Sequence, residues 1–315
     1  MKIIVTGGAG FLGSHLCDKL VNQGHEVIAL DNLITGNKNN IAHLENNSLF
    51  KFIEHDVVNG LPDDLKVDQI YHLASPASPN KNNSQSYISH PFETMQVNSV
   101  GTGQLAEQAS KMGAKFLFAS TSEIYGDPKE HPQKEEYRGN VSTIGPRAIY
   151  DEAKRFGETI VSAYVRNKNL DGRIVRIFNT YGPRMADDGR VVIEFVKAAL
   201  DNKPLPIFGT GVQTRSFCFV SDLIDGIIAA MEKGQKGEVY NLGSPNEFRI
   251  LELAEKVKEL TNSSSEFEYH QLPEDDPMQR CPDISKAKEQ LGWEPQISLK
   301  EGLNQLIEYI KLERQ

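Results

Sequence analysis

The chain has 315 residues, enough for one large body or two interlocked domains with a full core. Its 34 Lys and Arg stand against 43 Asp and Glu, a formal charge of −9 with a pI near 5.5, which excludes a basic nucleic-acid groove or a patch for anionic membranes. Cys17, Cys218 and Cys281 are isolated, the histidines form no ligand-spaced cluster, and no apolar run spans a bilayer, so neither disulfides, a metal nor a membrane is expected.

Lys2 to Thr6 reads as a short β-branched strand opening directly on the core, which predicts no leader peptide and fits a cytoplasmic protein. Gly7, Gly8, Gly10 and Gly13 follow, then a helix with apolar Phe11, Leu12, Leu16 and Leu20, a Gly24 stop, and a second strand from Glu26 to Leu30 ending at Asp31. Strand, glycine turn, helix, strand is the order of a dinucleotide-binding half. Gly7 allows the tight turn, Gly10 lets backbone approach a pyrophosphate, and Gly13 lets the helix pack closely. The phosphates would meet the free N–H groups of the helix N-terminus. Asp31 is placed to accept both hydroxyls of an adenosine ribose and to repel a 2′-phosphate, which favours NAD over NADP.

Further strands are expected at Phe50 to Ile53, at Asp68 to Ala74 and at Lys115 to Ser120. Asp56, at the end of the first of these, is an adenine contact or a surface carboxylate. Asn80 to His90 is polar and reads as a loop or lid. Phe92 to Met112 has helical periodicity broken by Gly101 and Gly103, which suggests a close backbone approach. A Pro/Gly-bearing loop over 130–147 leads into a helix from Ala148 to Asn167, and Arg173 to Phe178 is the next strand. The repeating units predict an α/β doubly wound parallel Rossmann sheet. From Gly189 the pattern loosens into helices at Val191 to Leu200, Asp222 to Met231, Ile250 to Thr261, Ser285 to Leu291 and Leu299 to Leu312, with strands at Leu205 to Phe208 and Val239 to Leu242. The expected division is a cofactor-binding domain over 1–180 with returning segments over about 212–243, and a smaller C-terminal substrate-binding region over 181–211 and 244–315.

Tyr150 and Lys154 open a helix four residues apart, on one face. A phenol near pKa 10 is a poor base at neutral pH, and an adjacent ammonium together with an oxidised nicotinamide would lower it. Lys154 would also hold ribose hydroxyls of the cofactor. Thr121, at a strand end, offers a hydroxyl between Tyr150 and a substrate alcohol.

The glycine set, His72-Leu73-Ala74, Thr121 to Gly126, Tyr150 with Lys154, and Asn179 to Arg184 resemble the extended short-chain dehydrogenase/reductase family of nucleotide-sugar enzymes. Within it, YHLASPASP, STSEIYGDP, GNVSTIGPRAIYDEAKR, RIFNTYGPRM, DGRVV and QTRSF are similar to the branch that decarboxylates UDP-glucuronate. The resemblance implies an NAD site built from Gly7, Gly10, Phe11, Leu12, Gly13, Asp31, Asn32, Asp56, Val57, Leu73, Ala74, Asn98, Tyr150, Lys154 and Phe178. It also implies Thr121, Ser122, Glu123, Tyr150 and Lys154 as the catalytic set, and substrate contacts from Asn179, Arg184, Arg190, Arg215 and Arg280. Related 4,6-dehydratases carry an Asp at the position of Ser122 to protonate a departing hydroxyl; carbon dioxide needs no such acid. Glu123 is expected to position the sugar and handle protons near C5. Arg215 is a bidentate candidate for a diphosphate, and Arg280, after the acidic run EDDPMQ, is a substrate contact or a surface ion-pair residue. A nucleotide-sugar 4-epimerase, a 4,6-dehydratase and a non-catalytic NAD-binding regulator are the alternatives.

The loop from Asn80 to Ser89 is unlike the aromatic-bearing segment of some decarboxylases, and Arg138, Thr143 and Ile149 stand where Trp, Pro and Cys are expected. The Tyr150 helix carries a second apolar set, Phe156, Ile160, Ala163 and Tyr164. By resemblance it pairs with the 92–112 helix and their twofold mates in a homodimer.

Overall fold

The computed structural model describes residues 1–63, 65–272 and 277–314. Strands β1 (Lys2–Thr6), β2 (Glu26–Asp31), β3 (Phe50–Glu54), β4 (Gln69–His72), β5 (Lys115–Thr121) and β6 (Asp171–Ile177) join Val239–Leu242 in one sheet. The order is Val239–Leu242, β6, β5, β4, β1, β2, β3, with every neighbouring pair parallel. The order reverses at β1, between β2 and β4, and leaves a crevice at the carboxyl ends of the strands.

Both faces of this sheet are covered, as the near-continuous apolar strands require. Ile3, Val5, Val27, Ala29, Leu117 and Val175 face one layer, packed with Leu16 and Leu20 of α1 (Phe11–Asn22) and with the Val220–Lys233 helix. Burial of each such Leu contributes about 1.5–3 kcal/mol. Ile4, Ile28, Ile70, Phe116, Phe118 and Ile174 face the other layer. That layer comprises α2 (Pro91–Gln96), α3 (Thr102–Met112) and α4 (Ala148–Lys168). A π-turn over Val97–Gly101 joins α2 to α3, so the expected 92–112 helix is continuous but widened in the middle. A Cβ on Gly101 would make ordinary contact with the Val57 carbonyl at 3.4 Å and one on Gly103 would meet nothing within 4 Å among the described residues, so neither glycine marks the close backbone approach that the sequence suggests.

His72 is a structural residue. Its Nδ1 lies 2.8 Å from Thr6 Oγ1 and its Nε2 lies 3.1 Å from Thr102 Oγ1, and burial drives its pKa down to about 3.

The second half adds strands too short to announce themselves. Thr180–Tyr181 pairs with Cys218–Phe219, and Leu205–Phe208 pairs with Phe267–His270. Thr214–Ser216 lies between Glu247–Arg249 and Gln279–Arg280. This last pairing aligns Arg280 with Arg215 across a parallel register, which puts both side chains on one face. The acidic run at Glu274, Asp275 and Asp276 lies outside the described residues. No helix among the described residues is long and apolar enough to cross a membrane.

Candidate active site

A cavity of about 1330 Å³ lies over the carboxyl ends of the sheet strands, between the sheet and the second-half elements. At one end is the glycine turn. Gly7 sits at φ +70°, and a Cβ on Gly13 would stand 2.0 Å from the Gly7 carbonyl oxygen, so neither position accepts a larger residue. The α1 N-terminus thus offers bare backbone to the cavity. Asp31, 8% exposed at the end of β2, accepts from Ala9 N at 3.0 Å and from Leu33 N at 2.8 Å, which fixes its carboxylate at the rim of that turn. Burial raises the Asp31 carboxyl above its ordinary range, and those two N–H groups pull it back. Phe11, Leu12, Asn32, Asp56, Val57, Leu73, Ala74 and Phe178 also line the cavity. Asn98 does not. It is fully buried, within the π-turn, donating to Ser75 Oγ at 2.9 Å and to the Thr94 carbonyl at 2.8 Å.

Thr121, Ser122 and Glu123 run from the end of β5 into a short turn, and Tyr150 and Lys154 rise from the first turns of α4; all five line the cavity. Thr121 Oγ1 accepts the Glu123 N–H at 3.2 Å, and its hydroxyl acts on the Tyr150 phenol in the sense that lowers its pKa. The Lys154 ammonium donates to the Ala119 carbonyl at 2.7 Å and lies 5.0 Å from the Phe118 ring centroid and 5.7 Å from that of Tyr150. Burial depresses its pKa to about 7, with Glu158 pulling the other way. The expected lowering of the Tyr150 phenol is not what the protein's own groups produce. Burial first, then the Glu123 charge, push it above the ordinary range, while Thr121 and Arg190 act in the opposite sense.

Glu123 is the most strongly held group. Arg147 and Arg280 each donate to one of its carboxylate oxygens, and Arg280 also donates to the Gly126 carbonyl at 3.0 Å. Burial disfavours the carboxylate, but Arg147, Arg280 and Arg215 outweigh it and keep Glu123 well below the usual range. Arg280 is 3% exposed, so it is not a surface residue. Asp151, 4% exposed, is held the other way: burial and the Glu123 charge push its carboxyl well up, and its Oδ1 has no hydrogen-bond partner among the described residues.

Asn179, Arg184, Arg190 and Arg215 all line the cavity. Arg184, at φ +62°, is paired with Asp18 at 2.5 Å. Arg190 pairs with Asp188 at 2.9 Å and lies 5.8 Å from the Phe11 ring centroid. Arg215, 7% exposed, donates to the Thr214 carbonyl at 2.8 Å.

Two residues went unnamed among the sequence candidates. Arg147 stands three residues before Tyr150 inside GPRAIY, so its place near the phenol was legible from spacing. Tyr87, from the polar 80–90 loop, is 1% exposed and stacks on the Tyr150 ring, with centroids 4.9 Å apart and planes 6° from parallel. The loop therefore does carry an aromatic anchor.

Residues 3–243 match the NAD dependent epimerase/dehydratase family. The chain is 54% identical to UDP-glucuronic acid decarboxylase 1 of Arabidopsis thaliana over 98% of its own length and 69% of that protein's. It is 49% identical to UDP-glucuronic acid decarboxylase 1 of Xenopus tropicalis over 99% of this chain and 72% of that one. Among solved structures, UDP-glucuronic acid 4-epimerase from Bacillus cereus, in complex with UDP-glucuronic acid and NAD, superposes with a TM-score of 0.88 at 34% identity, over 99% of this chain and 100% of that one.

Proposed function

The chain belongs to the NAD dependent epimerase/dehydratase family, and from that premise we propose that it decarboxylates UDP-glucuronate to UDP-xylose through a 4-keto intermediate, redox-neutral overall. NAD is its cofactor, and the glycine cradle fits it: Gly13 lets α1 pack against the Gly7–Gly8 turn, where a Cβ would meet the Gly7 carbonyl, and Gly7, Gly10 and Gly13 leave the backbone at the α1 N-terminus bare towards the cavity. Gly7, Gly10 and Gly13 would hold the pyrophosphate, Asp31 the adenosine ribose and Lys154 the second ribose. When bound, NAD supplies the acceptor, and later the donor, of the C4 hydride, and a positive charge beside Tyr150.

The chain's own groups do the rest. Tyr150, bridged to Thr121, takes the proton of the C4 hydroxyl and donates to the resulting ketone oxygen. That ketone stands β to the C5 carboxylate, so the C5–carboxyl bond breaks with its electrons delocalised onto an oxygen held by Tyr150 and Thr121. A solvent-derived proton then takes the place of the carboxylate at C5, and reduction at C4 by the returned hydride, with a proton from Tyr150, would regenerate the hydroxyl. Ser122, 2% exposed, stands where a dehydratase needs its acid, and a carboxylate leaving as carbon dioxide needs none. Arg215 would grip the diphosphate, with Asn179, Arg184 and Arg190 along the nucleotide's path.

The observation that carries this reading is the Arg147–Glu123–Arg280 cluster at the Tyr150 end of the cavity. Half-buried Arg147 and buried Arg280, aided by Arg215, keep one carboxylate ionised, and all three guanidiniums line the cavity, where such groups suit a sugar carboxylate. The firm ionisation of Glu123 makes it a poor proton donor; it positions the sugar and the arginines. Decarboxylase relatives at 54% identity outweigh the 4-epimerase at 34%, which shares the uronate but not its loss.

The cofactor-binding segments over 1–180 and 212–243, and the substrate-binding region over 181–211 and 244–315, belong to the same proposal. So does a homodimer through α2, α3 and α4, where Phe92, Met95, Val100 and Phe156 are 69%, 38%, 49% and 55% exposed and offer an apolar face. Cys17, Cys218 and Cys281 are free and buried, which accords with a reducing cytoplasm.

Incubation with UDP-glucuronate tests the reading. It should yield carbon dioxide and UDP-xylose with no net consumption of NAD. A product that keeps its carboxylate with C4 inverted would make the protein a 4-epimerase, and nucleotide binding without turnover would make it a regulator. Sedimentation equilibrium at micromolar protein should give twice the chain mass; a monomer with full activity would remove the dimer alone.

A further inference from the structure

We infer that Tyr87 is a positioning residue for the reaction proposed above, its ring holding the Tyr150 phenol against Thr121. The ring stack is close and nearly coplanar, and Tyr87 is buried. Its hydroxyl has no hydrogen-bond partner among the described residues. An unpaired buried hydroxyl contributes nothing favourable, so the useful part of this side chain is the ring.

The segment that delivers the ring is otherwise polar, and polar ties fix it. Tyr87 N donates to the Ser78 carbonyl at 3.0 Å, and Ser78 Oγ donates to the Asp188 carbonyl at 2.9 Å. Asn83 Nδ2 donates to the Asp187 carbonyl at 3.2 Å. Tyr87 therefore rests on the 187–190 segment, which also presents Arg190 to the cavity. Without the ring, one face of Tyr150 would lose its packing, and the phenol could swing from Thr121 within the staggered wells open to it.

The charged and titratable groups acting on Tyr150 come from each neighbouring element. They are Glu123 from the turn after β5, Asp151 and Lys154 from its own helix, Arg190 from the 187–190 segment, and the Tyr87 phenol from the 80–90 loop. Burial is the largest influence raising the Tyr150 phenol, so replacing the ring with a smaller side chain admits water and brings the phenol down.

Tyr87→Leu, Tyr87→Met and Tyr87→Phe test this in the NAD-loaded protein. Wild-type turnover of UDP-glucuronate is measured first; if there is none, the proposed reaction fails before the variants are compared. With wild-type turnover in hand, Tyr87→Phe keeps kcat within about 3-fold because the ring remains. Tyr87→Leu lowers kcat roughly 10- to 100-fold, the scale of a misplaced catalytic group, with KM and NAD content near wild type. The acid limb of its kcat–pH profile moves to lower pH. Tyr87→Met gives the same reading if the Leu variant does not fold. Wild-type kcat in Leu and Met, a Phe variant as slow as Leu, or a loss of kcat together with NAD and no shift of the profile would each overturn the inference.

Discussion

Replacing Lys154 with Met should stabilise the nucleotide-free protein, and by an amount that depends on pH. The Lys154 ammonium is 3% exposed, and burial carries its pKa from 10.5 to about 7. The folded value lies below the unfolded one, so the penalty of holding this charge inside is full below pH 7 and fades as pH rises through 10.5. A displacement of that size costs roughly 4 kcal/mol at pH 7 and about 2 kcal/mol at pH 9. Met fills a similar volume without charge. It forfeits the bond to the Ala119 carbonyl, a loss of about 1 kcal/mol that does not vary with pH. Urea unfolding of both proteins, stripped of nucleotide, should therefore show Lys154→Met the more stable at neutral pH, with its lead shrinking by about 2 kcal/mol between pH 7 and 9. The variant should also be inactive. A stability difference that does not change with pH would refute the reasoning, because Lys154 would then titrate alike in both states.

Gly13→Ala should lose bound NAD and melt at lower temperature, because the new methyl meets the Gly7 carbonyl oxygen; NAD released on denaturation measures the first effect. Glu123→Gln should lower turnover by roughly 10²-fold or more while NAD stays bound, the scale for losing a positioned acid–base or charged group; wild-type speed would make the carboxylate purely structural. Asp151→Asn should gain stability over the wild type as pH rises. The folded carboxyl of Asp151 is raised above its unfolded value, so its contribution is greatest in acid and is lost towards alkaline pH. Thermal melts at pH 5 and pH 8 would show the gap widen, and a gap that narrows would contradict the assignment.

The parts that were legible in the sequence are local. Gly7, Gly10, Gly13 and Asp31 fall within one strand–helix–strand unit, where each residue type answers a backbone demand. Tyr150 and Lys154 share a helix face by their spacing alone. The Arg147–Glu123–Arg280 cluster is different, since its partners are 24 and 157 residues apart and only the folded chain brings them together. Arg280 meets Arg215 because strands of two and three residues pair, and strands that short have no periodicity to read. Tyr87 was hidden for the converse reason. A lone aromatic among Asn and Ser looks like a loop residue until the hydrogen bonds that hold the loop are seen. The π-turn that carries Asn98 likewise leaves no trace in the hydrophobic pattern.

In the proposed reaction a C4 ketone lets the C5 carboxylate depart, and a solvent-derived proton replaces it. Turnover of UDP-glucuronate in deuterium oxide, with the product read by mass spectrometry and NMR, tests it directly. The account predicts UDP-xylose with one deuterium at C5, none at C4, and NAD returned to its starting level. Carbon dioxide released with no solvent hydrogen at C5, or a product that still carries its carboxylate, would contradict it.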